Sequence, residues 1–164
     1  MKIKICGLKY GADIDSVFSD IKPDFAGFIF YPESKRYAGN ITNKISSAHN
    51  YNTEKVAVLV NCPLNYALKY CEKSKIKTVQ LHGDESPAYC EKFKIFGYTV
   101  IKAFNIHNKF DFKKLNDYKK ICDYFLFDAS GSNRGGNGKK FNWKLISKYK
   151  GGKQYFLSGG IDLK

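Results

Sequence analysis

Short apolar runs of strand length alternate along this chain with longer stretches whose apolar residues recur at helical spacing. Residues 2–6 read as a first strand and 13–21 as a short helix. Residues 25–30, with Gly27 inside the run, read as a second strand, and 41–50 as a weak helix that Asn40 or Thr42 could cap. The clearest strand is 55–60, with three valines. Helix 64–73 follows it, with Pro63 suited to a first helical position. The alternation continues through strand 78–81, helix 86–96, strand 98–103, a helix around 112–118 and strand 123–128. A Gly-rich loop over 129–140 then leads to a helix at 142–149 and a seventh strand at 154–157.

Strands that each feed a helix before the next strand must run parallel, joined by right-handed crossovers. Periodicity allows two architectures, a doubly wound open sheet or a (β/α) barrel. Repeats of roughly 20–28 residues per unit favour the barrel, whose eight units usually need ~200 residues or more. No linker or low-complexity segment divides the 164 residues, so residues 1–164 are expected to form a single domain.

Composition removes several classes. Hydrophobic residues are 43% and aromatics 16%, which excludes a disordered polymer. No run approaches the roughly 18 apolar residues of a membrane helix, and the N-terminus has no h-region of a signal peptide. A cytoplasmic chain without membrane partners is expected. Cys6, Cys62, Cys71, Cys90 and Cys122 are odd in number and widely spaced, so they read as free thiols rather than disulfides or zinc ligands. The formal charge of +13 suggests nucleic acid at first sight. Only Arg36 and Arg134 are arginines, however, and the lysines are scattered. A planar guanidinium is the usual grip on phosphate or base edges, so the charge reads as a solvated lysine surface with no nucleic-acid partner.

In parallel α/β folds chemistry gathers beyond the C-terminal ends of the strands, and reactive residues occupy those positions here. Cys6-Gly7 ends the first strand and Tyr31–Tyr37 follows the second. Asn61 ends the third, Gln80-Leu81-His82-Gly83-Asp84-Glu85 the fourth, Asp128 the sixth and Ser158-Gly159-Gly160 the seventh. Taken singly each has a plain reading. Asp128 could start a turn, Cys6 could be a small buried hydrophobe, Arg36 a surface charge, His82 a structural hydrogen-bonding residue and Ser158-Gly159-Gly160 a turn.

In their order, these segments resemble the signatures of the phosphoribosylanthranilate isomerase family. They are Lys4-Ile5-Cys6-Gly7, Gly27 through Tyr37, Val58 through Asn61, Gln80 through Gly83, Phe127-Asp128, Gly135 through Trp143 and Leu157 through Gly160. The resemblance covers the whole chain. It implies a (β/α)8 TIM barrel and an Amadori rearrangement of a small phosphorylated substrate in tryptophan biosynthesis. It implies no cofactor or metal, because the iminium intermediate is itself the electron sink.

The resemblance makes Asp128 the general acid, and a carboxyl ending an apolar strand is partly desolvated, which helps it hold a proton. It makes Cys6 the general base, a role that a nearby positive charge or backbone N–H groups would support. Arg36 would hold the anthranilate carboxylate through its fork, and Gln80 and His82 would touch substrate. Gly159 and Gly160 would offer backbone N–H groups to the phosphate. The loop carrying Arg134 and Gly135–Gly138 would shape the mouth of the site.

The departure is at the C-terminus. Family members continue past the glycine pair with an eighth strand and closing helices, so the barrel is expected to be truncated after strand seven. A fragment of a longer protein, a natural truncation and completion by another chain are all open. Two rival functions also stand. One is another phosphosugar-handling barrel, such as a ribulose-phosphate epimerase, and the other a non-catalytic lysine-rich binding protein.

Overall fold

The computed structural model describes residues 1–48, 51–129 and 143–159. Within these residues seven strands form one sheet: β1 (Lys4–Cys6), β2 (Phe25–Ile29), β3 (Glu54–Leu59), β4 (Thr78–Leu81), β5 (Thr99–Ile106), β6 (Tyr124–Ala129) and β7 (Tyr155–Ser158). Every neighbouring pair is parallel, and the spatial order is the sequence order. A doubly wound sheet reverses its order at a switch point. This one does not, which decides between the two architectures that periodicity allowed.

The two faces of the sheet have different partners. Alternate strand residues, among them Phe28, Leu59, Leu81, Val100 and Phe125, are buried in one large cluster with side chains from the connecting helices. The residues between them, Phe25, Ile29, Val56, Val58, Ile101, Ala103 and Leu126, form a second cluster with Tyr31, Tyr124 and Phe156. Among the described residues, no helical residue enters this second cluster. It closes on itself because the sheet is curled: the ring of Phe25 on β2 meets Phe156 on β7 at 5.1 Å and Tyr124 on β6 at 6.4 Å. Curvature that brings β2 to β7 is that of a barrel, with layers of side chains filling its interior. Both faces being covered explains why β2 is buried at every position.

The helices lie on the outer face. They are α1 (Gly11–Ser16, continued by a π turn at Val17–Ile21), α2 (Thr42–Ser47), α3 (Leu64–Ser74) and α4 (Pro87–Ile95). In α3, Ala67 and Cys71 are fully buried one turn apart, and Tyr70 stacks on Phe30 at 4.8 Å. The helix stops at Lys75, which is left-handed at φ 52°. In α4, Ser86 caps the Tyr89 N–H and Pro87 opens the first turn.

Several expected details are corrected. Pro63 is the residue before α3 rather than its first helical position, and neither Asn40 nor Thr42 caps α2, whose N-cap position is Ile41. β5 runs on to Ile106. The segments expected as helices after β5 and before β7 are 3₁₀ turns, Phe112–Tyr118 and Trp143–Lys148. Phe112, Leu115 and Tyr118 all pack on the core at a spacing of three, the period of a 3₁₀ helix. Most of the Gly-rich loop, Arg134 and Gly135–Gly138 included, lies outside the described residues, as does Gly160.

Candidate active site

Strand alternation fixes which side chains face the barrel interior. Gly27 sits between Phe25 and Ile29 on that face, and its register partner on β1 is Cys6. A Cβ built on Gly27 would lie 2.6 Å from Cys6 Sγ and 2.8 Å from Lys4 Nζ. The thiol and an ammonium group therefore share the space that a side chain at position 27 would fill. The strand glycine exists for this close approach. Lys4 lies two residues before Cys6, so alternation alone puts it on the same face; sequence reasoning asked for a positive charge near the thiol and left this one unnamed.

Gly7 follows at φ 92°, a conformation that L side chains rarely adopt. Its N–H donates to the Gly27 carbonyl at 2.8 Å. Arg36 lies flat over Gly7: its Cδ, Nη1 and Nε come within 2.7, 2.8 and 3.0 Å of where a Cβ on Gly7 would stand. Arg36 Nη1 donates to the Cys6 carbonyl at 3.3 Å. The loop that delivers it is pinned by turns, Ser34 N–H to Tyr31 O and Tyr37 N–H to Ser34 O, and returns to the sheet where Ala38 N–H meets Ile29 O at 2.8 Å. Cys6 and Arg36 are both exposed.

A second group comes from β4 and β6. Gln80 is 1% exposed and faces inward from β4, level with Val58 and Ile101. Its Nε2 lies 2.7 Å from His82 Nδ1, and His82 Nε2 lies 3.3 Å from Asp128 Oδ2. An amide nitrogen only donates, so Nδ1 accepts and Nε2 carries the proton toward the carboxylate. The relay Gln80–His82–Asp128 thus fixes one imidazole tautomer, with both His82 and Asp128 largely shielded from water. Gln80 Oε1 is buried and has no hydrogen-bond partner.

Beside Asp128 in the register stands Ser158 on β7, followed by Gly159 at φ 85°. Of the residues singled out in the sequence, Cys6 and Arg36 are thus brought together, as are Gln80, His82 and Asp128. Gly159 lies at the same end of the sheet as both groups, past the C-terminus of β7. Two buried ions stand at this end: Glu85, in the polar run that follows the fourth strand, and Lys102, which carried no sequence signal. Their side chains pair at 3.1 Å. Among the described residues no group of three or more His, Cys, Asp or Glu could hold a metal ion. No helix there is long and apolar enough to cross a membrane.

Comparison with known proteins points to one family. Residues 3–164 match the family model for N-(5′-phosphoribosyl)anthranilate (PRA) isomerase. The chain is 37% identical over 163 residues to N-(5′-phosphoribosyl)anthranilate isomerase of Parabacteroides distasonis, covering 98% of this chain and 73% of that protein. It is also similar to the crystal structure of phosphoribosyl anthranilate isomerase from Thermotoga maritima. There the TM-score is 0.84 at 33% identity, over 98% of this chain and 78% of that one. A structure of the isomerase in complex with reduced 1-(o-carboxyphenylamino)-1-deoxyribulose 5-phosphate matches with a TM-score of 0.79 at 31% identity. It covers 98% of this chain and 76% of that one.

Proposed function

The chain belongs to the N-(5′-phosphoribosyl)anthranilate isomerase family, and from that premise we propose which of its side chains carry the reaction. It is an isomerase of tryptophan biosynthesis that converts N-(5′-phosphoribosyl)anthranilate to 1-(2-carboxyphenylamino)-1-deoxyribulose 5-phosphate. The epimerase and lysine-surface readings give way to it. The reaction needs an acid at the furanose oxygen, a base at C2′ and grips for two anionic ends.

Asp128 donates a proton to the ring oxygen. The C1′–O bond breaks, and the nitrogen lone pair forms the C1′=N iminium. Cys6, as thiolate, removes the C2′ proton, and the C2′–H electrons flow to the iminium nitrogen. The enol form of the product results, leaving Asp128 ionised and Cys6 protonated; exchange with solvent restores both. What supports the acid is the His82 contact: an imidazole N–H aimed at the carboxylate holds it in one orientation and stabilises the anion left after proton transfer. What supports the base is the shared space at Gly27, where an ammonium group stands beside the thiol.

Arg36, lying against the Cys6 backbone, holds the anthranilate carboxylate next to the base. Gln80 orients His82 through its Nε2 at the mouth of β4. Gly159 and Gly160 receive the phosphate through backbone N–H groups. The reaction takes place in the cytoplasm, consistent with five free cysteines.

The relay ending on Asp128 is the observation that carries the assignment of acid and base. Substrate bearing deuterium at C2′ tests the division of labour. A primary isotope effect expressed in Asp128→Glu but suppressed in Asp128→Asn, where ring opening becomes limiting, is the expected result. An isotope effect that grows in Asp128→Asn would assign this residue to the C2′ proton instead.

A further inference from the structure

Beneath the catalytic end of the barrel lies a buried ion pair. Glu85 and Lys102 have side chains 3% exposed and stand 3.1 Å apart. Lys102 projects from β5 into the outer layer, level with Leu81 and Phe125. Its Nζ donates to three carbonyls: Leu81 at 3.1 Å, Gly83 at 2.8 Å and Ala103 at 3.0 Å. Glu85 accepts from the Gly83 N–H at 2.9 Å and from the Asn61 N–H at 2.8 Å, the latter at the exit of β3.

These bonds enclose one residue. The peptide before His82 is held at both ends, its carbonyl by Lys102 and its N–H by the Leu59 carbonyl at 2.8 Å. The peptide after His82 is held through the Gly83 N–H by Glu85, and the next carbonyl by Lys102 again. Rotation about either backbone bond of His82 would break at least one bond to a buried charge. The imidazole that reaches Asp128 is therefore aimed from underneath.

Stability gives a poor reason for such a pair. Burying two charges costs desolvation that their attraction repays only in part, and apolar replacements of similar volume are often neutral or stabilising. We propose that Glu85 and Lys102 are positioning residues: they fix the backbone on both sides of His82, and through its ring they set the orientation of the acid Asp128. The inference rests on the roles given to His82 and Asp128 above.

The test is the double variant Lys102→Met with Glu85→Gln. It removes both charges while leaving an amide oxygen to accept the Asn61 and Gly83 N–H groups. The expected result is kcat lower by about 10- to 100-fold, the cost of a small misplacement of a reacting group, with KM moving far less. The ring-nitrogen NMR signals of His82 should shift from one fixed tautomer to an average. Lys94→Met is the control. It breaks an ion pair to Asp123 of 2.8 Å at the opposite end of the sheet, so it should leave both kcat and the His82 signals in place.

Unchanged kcat or unchanged His82 signals in the double variant would overturn the proposal, as would an equal loss in Lys94→Met. Should the double variant not fold, Glu85→Gln alone keeps Lys102 and its three carbonyl bonds and should show the same changes in smaller measure; its failure to do so overturns the proposal equally. A parent chain without turnover would count against the assigned reaction, and the His82 spectra would still decide the clamp.

Discussion

Replacing Gly27 with alanine should damage catalysis far more than folding. The added methyl would lie 2.6 Å from Cys6 Sγ, 2.8 Å from Lys4 Nζ and 3.3 Å from Cys6 Cα. Ordinary non-bonded separations are about 3.5–4.0 Å, so the thiol must retreat by about 1 Å. Lys4 can swing aside at little cost, being the far end of a flexible chain. Cys6 cannot move as freely, because β1 is bonded to β2 at this level and Gly7 donates to the Gly27 carbonyl. Overpacking of this kind costs about 1–3 kcal/mol of stability. Displacing a reacting group by about 1 Å can cost about 100-fold in rate. Steady-state kinetics should show kcat lower by about two orders of magnitude, with KM little changed since Arg36 is untouched. Thermal unfolding should remain a single transition. Turnover like that of the parent, with the thiol still open to alkylation, would refute the idea that Gly27 reserves space for the base.

Three further outcomes follow from the same geometry. Arg36→Met should raise KM more than it lowers kcat, because a bidentate carboxylate grip is lost from the bound substrate, and benzoate-type competitors should weaken in parallel; an effect confined to kcat would remove Arg36 from substrate binding. Burial, with the neighbouring Cys62, pushes the Cys71 thiol up from 9.0 to about 12. Between those values the unfolded chain gives up this proton before the folded chain does, so stability present below about pH 9 is lost as pH rises toward about 12; the urea midpoint should fall over that range, and less steeply in Cys71→Ala. Native-state alkylation should reach exposed Cys6 first and leave Cys71, Cys90 and Cys122 unmodified, since all three are buried; early labelling of any of these three, read by peptide mass mapping, would contradict the packing.

The strand-by-strand order was legible because most β-runs are short and largely apolar, and most of them end in a polar or reactive residue. Asp128 after Tyr124–Phe127 is the plainest case. Positions were less legible where one residue type serves two purposes. Lys102 is one of many lysines, and nothing local separates a buried cation on β5 from a solvated one; its partner Glu85 is brought to it by the turn after β4. Gly27 is read in the sequence only as a glycine inside a strand-length run, and its use emerges only when Cys6 is set across from it by the register. The 3₁₀ turn at Phe112–Tyr118 passed for a helix because spacings of three satisfy both readings over two turns.

Cys6 as the base and Asp128 as the acid are the two roles on which the isomerase chemistry turns. The most direct test follows the loss of phosphoribosylanthranilate fluorescence, with substrate made in situ, in the parent chain, Cys6→Ala and Asp128→Asn. Turnover by the parent and a loss of about 100-fold or more in each variant is the predicted result. Turnover that persists undiminished in either variant would contradict the role assigned to that residue.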